Sequence, residues 1–341
     1  KGGKMEKFII SRDDSIYEAF PDVVLLPSGK LICVFLECKH HADRSYSRVV
    51  YKVSSDRGRT WSDKFHLSEV DSGWNCPRIS HLSDGKVVII CDKGAGEKDI
   101  KLRKLFMWYS LDEGKTWSKK IELPIPGFVP DKLKELKNGR YLIASQRYNE
   151  KGYLEQMVYI SDDRGKKWNG QVKIASKEGL NLCEGSILEL PDGKLVTFMR
   201  ENSFLGLDCF KAISYDNGET WEGPYPFPIP GCHRPVSGLL KSGYILITHR
   251  FCQGGKGWLG WWTQNFFATL TDIESALSKE RNQAHTRIKP IDYDRSKFSD
   301  TGYSGWVQFE DGEIYIVNYI VDDAPNGHIR GYSLTEKDFF I

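Results

Sequence analysis

The phrase SSDRGRTW at residues 54–61 returns as SLDEGKTW at 110–117, SDDRGKKW at 161–168 and SYDNGETW at 214–221. One short phrase recurring about every 50 residues marks a repeat architecture, and the repeat decides the fold before other residues are read. The phrase itself reads as a turn. Asp56, Asp112, Asp163 and Asp216 supply carboxylates that accept hydrogen bonds from backbone N–H groups ahead of them, while Gly58, Gly114, Gly165 and Gly218 take positive φ. The tryptophan is expected to bury its ring beneath the turn. A carboxylate spent on backbone donors has little left for chemistry, so these four aspartates read as structural.

A second repeat is interleaved with the first: LPSGKL (26–31), LSDGKV (82–87), LKNGRY (136–141), LPDGKL (190–195), LKSGYI (240–245) and FEDGEI (309–314). Each is a tight hairpin between apolar, alternating flanks. The box aspartate follows its hairpin glycine by 27, 27, 24 and 23 residues in the first four units. In the fifth, ATLTDIESAL puts Asp272 at the equivalent offset without the glycine or tryptophan; in the sixth, YSLTEKDF also lacks them. Six hairpins predict an all-β chain, a six-bladed β-propeller of four-stranded antiparallel blades forming a single domain over residues 1–341. The segment KFIIS near the N-terminus is expected to supply the outer strand of the last blade, since an open ring would leave sheet edges exposed.

Composition sets limits. The 341 residues are 40% apolar and 13% aromatic, enough for a substantial core, and the net charge is +2. Without a run of like charges nothing calls for nucleic acid, and apolar stretches of strand length argue against a membrane span. The start KGGKMEKF lacks the apolar run of a signal peptide, and the four residues ahead of Met5 read as an addition to the natural start. The expectation is a cytoplasmic protein, or a secreted one from which a leader was removed. Eight scattered cysteines with no CxxC pair read as buried free thiols. No His, Asp or Glu cluster has ligand spacing, so neither a metal nor a cofactor is expected. The sequence leaves the oligomeric state open.

Counting nine residues back from each hairpin glycine aligns the starts of the inner strands on Phe20, Cys76, Pro130, Glu184, Arg234 and Tyr303. Counting seven forward aligns Leu36, Asp92, Gln146, Arg200, Arg250 and Tyr319. Polar residues repeating at one layer suggest a site, because unpaired buried charge is costly.

On these residues the chain resembles the sialidase superfamily, whose Asp box matches the repeated phrase. In that family a Glu begins the inner strand of blade four, an Arg ends the next strand and a Tyr in a Tyr-Ser pair begins the inner strand of blade six. The resemblance places Glu184, Arg200 and Tyr303 there. It implies a Tyr303 nucleophile whose proton passes to Glu184, a pairing suited to a substrate that already carries a carboxylate. It also points to Asp43 as acid/base, with His40 or His41 as substitutes.

Two departures accompany these matches. The family's first clamp arginine corresponds to Ala19, and no arginine stands in WLGWWTQNFFATLTD where the third belongs. Losing two bidentate contacts would cost several kcal/mol of affinity for an acidic sugar unless other groups replace them. Arg234, Arg250, Arg78, Arg147 and His233 are available; Glu18, beside the gap, adds a charge that opposes an anion. Trp258, Trp261 and Trp262 offer sugar-stacking faces or blade core. The reading is a sialidase-like exo-glycoside hydrolase for a terminal, acidic sugar. A uronate lyase using Tyr303, His233 and His249, or a carbohydrate-binding propeller without catalysis, stands as the alternative.

Overall fold

The computed structural model describes residues 5–94, 103–253 and 263–340. Among them, 24 strands form six four-stranded antiparallel sheets, the blades of a six-bladed β-propeller. The chain divides into two compact units, residues 1–123 with 294–341, and residues 124–293.

In the first unit, β1 (Glu6–Ser11) waits for a partner from the far end of the chain. Blade one is β2 (Tyr17–Leu25), β3 (Leu31–His40), β4 (Asp43–Ser54) and β5 (Phe65–His66). Blade two is β6 (Arg78–His81), β7 (Val87–Lys93), β8 (Lys104–Ser110) and β9 (Ile121–Pro126), the last running into the unit boundary. The second unit holds blade three, β10 (Lys134–Glu135), β11 (Tyr141–Tyr148), β12 (Leu154–Ser161) and β13 (Asn169–Ala175). Blade four is β14 (Leu182–Glu189), β15 (Leu195–Glu201), β16 (Asp208–Ser214) and β17 (Glu222–Pro230). Blade five is β18 (Cys232–Leu239), β19 (Ile245–Gln253), β20 (Thr263–Thr271) and β21 (Thr286–Tyr293). Blade six returns to the first unit as β22 (Thr301–Gln308), β23 (Ile314–Ile320) and β24 (His328–Leu334), completed by β1, with Phe8 opposite Gly331. The N-terminal strand thus closes the last blade, as KFIIS predicts.

The second strands are apolar on both faces rather than alternating. In β3 the run LICVFLEC is buried throughout, and β15 is buried along its whole length. A blade packed between two others covers both faces of its sheet, so continuous apolar runs replace the period-two pattern. All eight cysteines are buried and unbridged. Among the described residues no helix is long and apolar enough to cross a membrane.

Within each unit, side chains near the inner strands latch neighbouring blades together. Asp22 Oδ2 accepts from Ile79 N at 2.9 Å in the first unit. In the second, Asp131 Oδ2 accepts from Ile187 N at 3.0 Å and Ser186 Oγ from Ser237 N at 3.0 Å. A first-strand N–H that has no ladder partner is thereby satisfied by the neighbouring blade.

The boxes are built as the sequence implies. Asp56 Oδ1 accepts from Thr60 N at 2.9 Å and Oδ2 from Thr60 Oγ1 at 2.6 Å, while Gly58 N donates to Ser54 Oγ at 2.8 Å. The Thr60 hydrogen bonds foremost hold the Asp56 carboxyl down at about 2. Asp112 and Asp216 repeat this, and in the third box Lys167 supplies only its N–H to Asp163. One expectation needs correction. The box tryptophans are half-buried, Trp61 and Trp221 capping their own turn by donating Nε1–H to Gly58 O and Gly218 O at 3.1 Å. At the fifth position Asp272 caps a short helix, α1 (Ile273–Leu277), accepting from Ser275 N at 2.7 Å.

Gly58 has φ +83° and a Cβ there would lie 2.2 Å from Cζ of Tyr315, a buried blade-six ring whose Oη donates to Gly58 O at 2.7 Å. Gly58→Ala combines left-handed strain with a steric clash, and we expect it to cost about 2–4 kcal/mol. Denaturant titration checks this; a change near zero would mean the box of blade one does not brace blade six.

Candidate functional site

The start of the inner strand carries one recurring irregularity. In blade one Ala19 pairs with Leu36 and Asp22 with Val34; in blade four Cys183 pairs with Arg200 and Ser186 with Phe198. In blade five His233 pairs with Arg250 and Val236 with Thr248; in blade six Thr301 pairs with Ile320 and Ser304 with Asn318. Two residues therefore oppose one, a β-bulge that bends the strand and re-aims its side chains. Its first residue is left-handed: Phe20 (φ 57°), Glu184 (φ 49°), Arg234 (φ 50°) and Gly302 (φ 106°). A left-handed glutamate or arginine is strained and persists only when its surroundings hold it.

This corrects the alignment by counting. Gly302 and Val129 (φ 47°), ten residues before their hairpin glycines, occupy the left-handed position in blades six and three. Tyr303 is thus the second bulge residue, the counterpart of Gly185 rather than of Glu184.

In the second unit, blade three fixes the bulge of blade four. Gln146 Oε1 accepts from Glu184 N at 3.1 Å and Gln156 Oε1 from Gly185 N at 2.8 Å, capturing both N–H groups the bulge frees. The Glu184 carboxylate is buried and receives Arg200 Nη1 at 3.1 and 3.0 Å on its two oxygens. Arg200 also bonds Asn202 Oδ1 and lies 5.5 Å from the centre of the Phe204 ring. His233 stands edge-on to Phe204 at 5.4 Å. Burial, followed by Arg200, Arg250 and His249, pushes its proton affinity well below the ordinary histidine value. Arg250, also buried, lies across the ladder from His233.

Other predicted residues serve the framework. Arg234 donates Nη2–H to Pro130 O at 2.7 Å and Nη1–H to Val129 O at 3.5 Å, tying blade five to the bulge of blade three. His249 is enclosed: Nδ1–H donates to Arg250 O at 3.1 Å and Nε2 accepts from Thr269 Oγ1 at 3.0 Å. With both nitrogens engaged it is a poor proton shuttle, which weighs against the lyase alternative. Arg147 pairs with Glu155 at 2.7 Å.

In the first unit, Tyr303 is buried with its ring 5.0 Å from Phe20 and 6.3 Å from Tyr319. Gly302 N, freed by the bulge, donates to Asn318 Oδ1 at 2.9 Å. Ala19 is fully buried, so no cation replaces the missing clamp arginine at that position. Arg44 fills space nearby, its guanidinium 4.8 Å from the Phe20 ring centre.

Arg78 donates to Ser304 O at 2.9 Å and lies 3.4 Å from Asp22, a framework role. Glu18 does not face an anion. It is fully buried, accepts from Ser11 Oγ at 2.8 Å and pairs with Lys64 at 2.9 Å, while burial raises its proton affinity. Asp43 opens β4 at the surface, accepting from Ser45 N at 2.9 Å with Lys39 at 3.4 Å. The Ser45 hydrogen bonds foremost hold its carboxyl down to about 2, low for a general acid. His40 stands edge-on to Tyr17, and His41 meets Asp300, a residue not singled out in the sequence. Its signal, one loop aspartate in SDTGYSG, is indistinguishable from ordinary turn chemistry. Trp258, Trp261 and Trp262 lie outside the described residues.

Six four-stranded blades, Asp boxes at four of their turns and a Glu–Arg pair at the blade-four bulge define a propeller of the sialidase superfamily. The chain belongs to the BNR repeat-like domain family, whose model matches residues 69–316. It is 29% identical to a sialidase of Paraclostridium sordellii, covering 96% of this chain and 87% of that protein. It is 32% identical to an anhydrosialidase of Macrobdella decora over 66% of this chain, and spans about a third, 35%, of that protein's length. A Dyadobacter fermentans protein of unknown function has a similar fold, with a TM-score of 0.76 at 21% identity over 97% of this chain and 98% of its own.

Proposed function

We propose that this protein is an exo-acting glycoside hydrolase for a terminal, acidic sugar, with Tyr303 as nucleophile and Glu184 as its base, the roles that the sequence resemblance assigns to these two residues. The observation that carries the reading is Glu184 itself. A buried carboxylate in a left-handed bulge, with both freed N–H groups captured and Arg200 on both oxygens, is a costly arrangement where a blade core needs none. The sialidase names of two relatives support the reaction class.

The tyrosine suits an anionic substrate because it attacks as a neutral hydroxyl, without the repulsion an ionised carboxylate would meet. Anion recognition is assigned to Arg200 and Arg250, which lie opposite the bulged inner strands of the adjacent blades four and five, while Arg234 and Arg78 serve backbone carbonyls. With alanine at position 19, the sugar preference is expected to differ from that of a three-arginine sialidase.

A panel of aryl glycosides carrying sialic acid, its deaminated relative, uronates and rhamnose tests the proposal. The expected outcome is release of the aryl alcohol from an acidic sugar, with no ultraviolet-absorbing unsaturated uronate. Silence across the panel, while a glycan still raises the melting temperature, would replace hydrolysis with carbohydrate binding.

A further inference from the structure

Within the first unit, a second group of titratable side chains gathers beside Tyr303. Asp300 stands three residues before it, its backbone N–H donating to Asp294 Oδ2 at 2.9 Å. Tyr319 Oη donates to Asp300 Oδ1 at 2.6 Å, Tyr17 Oη donates to Oδ2, and His41 Nδ1 lies 2.5 Å from the same Oδ2. Both tyrosines are buried, while the His41 side chain is 40% exposed. Two hydroxyl donors and an imidazole on one carboxylate favour its ionised form and orient the imidazole with Nδ1–H toward it. Nε2 makes no hydrogen bond among the described residues. The His41 ring is edge-on to Phe20 at 5.3 Å, and the same Phe20 ring lies 5.0 Å from Tyr303.

We infer that His41, held by Asp300, is the acid/base of this site, taking the place that the sequence resemblance assigns to Asp43. The inference rests on the glycosidase reading above. The Asp43 carboxylate is occupied by Ser45 and Lys39. His41 has a partnered nitrogen that fixes its orientation and an open one that can carry a proton. Asp300 acts through His41 and is a positioning residue.

The steps balance. Protonated His41 gives its Nε2 proton to the glycosidic oxygen as the C–O bond breaks, and the bonding pair leaves with that oxygen as the alcohol. Tyr303 Oη bonds the anomeric carbon and passes its proton to the base of the proposed function. In the second half, neutral His41 takes a proton from water as the water oxygen bonds the anomeric carbon. In the same displacement the bond between the anomeric carbon and Oη breaks, its electron pair returns to Oη, and the base returns the proton.

The test compares two glycosides of the same sugar, one with a dinitrophenol leaving group that departs without protonation and one with an alkyl alcohol that needs it. In the full chain, His41→Gln is expected to lose roughly 100- to 1000-fold in kcat/KM on the alkyl glycoside, while kcat/KM for the dinitrophenyl glycoside, which reports only the first half-reaction where its leaving group needs no proton, stays within a few-fold of the parent. Asp300→Asn should show the same leaving-group signature with a smaller loss. Retained dinitrophenyl cleavage also reports that each variant is folded. The signature appearing in Asp43→Asn and not in His41→Gln would overturn the inference, as would equal loss on both substrates in a His41→Gln protein that melts like the parent. A parent inactive on both would overturn the glycosidase reading and this inference with it; a parent active on both with His41→Gln unaffected would overturn this inference alone.

Discussion

Tyr303→Phe is expected to abolish turnover of whichever aryl glycoside the protein cleaves, by roughly 1000-fold or more, since no second nucleophile replaces the lost hydroxyl. The substitution keeps the ring and its packing against Phe20 and Tyr319, so the melting temperature is expected to fall less than in Glu184→Gln. Glu184→Gln should lose activity to a similar degree but differ in stability. The substitution would leave Arg200 facing a neutral amide in a buried site, and removing one partner of such a pair costs about 3–5 kcal/mol, less whatever Asn202 recovers. The pair of variants therefore separates chemistry from framework. Both activities matching the parent would remove the tyrosine mechanism; a stable, inactive Tyr303→Phe beside a destabilised, inactive Glu184→Gln would support it.

Acidification from pH 7 to 4.5 is expected to destabilise the fold by several kcal/mol, through histidines buried in the neutral form. Burial holds His249 down at about 4, and burial followed by Arg330 and Arg12 does the same for His328, whose Nε2 accepts from Arg330 Nε at 3.1 Å. Unfolded histidine titrates at about 6.5, so between 6.5 and 4 the unfolded chain binds more protons than the native one and stability falls as pH falls. Each of the two contributes up to about 3 kcal/mol across that window, and His233, shifted in the same direction, adds to it. Glu18 opposes them, since its raised affinity favours the folded state as pH falls. Denaturant midpoints at pH 7.5 and 4.5 measure the balance. His328→Gln should flatten the slope relative to the parent, and an unchanged slope would mean that this histidine is protonated in the native state.

The contrast between legible and hidden features follows from range. The Asp-box turns were legible because each is local: Asp56 reaches Thr60 and Gly58 reaches Ser54, all within one phrase. The half-burial of Trp61 was not, because it depends on what lies above the turn. Counting from the hairpins located Glu184 and Arg200, which lie on one bulge and its ladder. It slipped by one residue in blades three and six, where the bulge sits ten residues from the glycine instead of nine. A count carries no information about where a strand absorbs an extra residue.

By itself the sequence determined the number of blades, the place of the boxes, the closing strand and the identity of the polar residues at the inner-strand starts. These are set by short-range turn chemistry and by periodicity, both written in consecutive residues. Only the tertiary structure decided how those polar residues are used. Arg234 and Arg78 are drawn onto backbone carbonyls, Glu18 is neutralised by Lys64 and Ser11, and Asp43 is left at the surface. Asp300 gathers Tyr17, Tyr319 and His41 from segments about 260 to 280 residues away in one direction and 19 in the other. A buried charge takes whichever partner minimises its desolvation cost, and that partner is chosen in space, not along the chain.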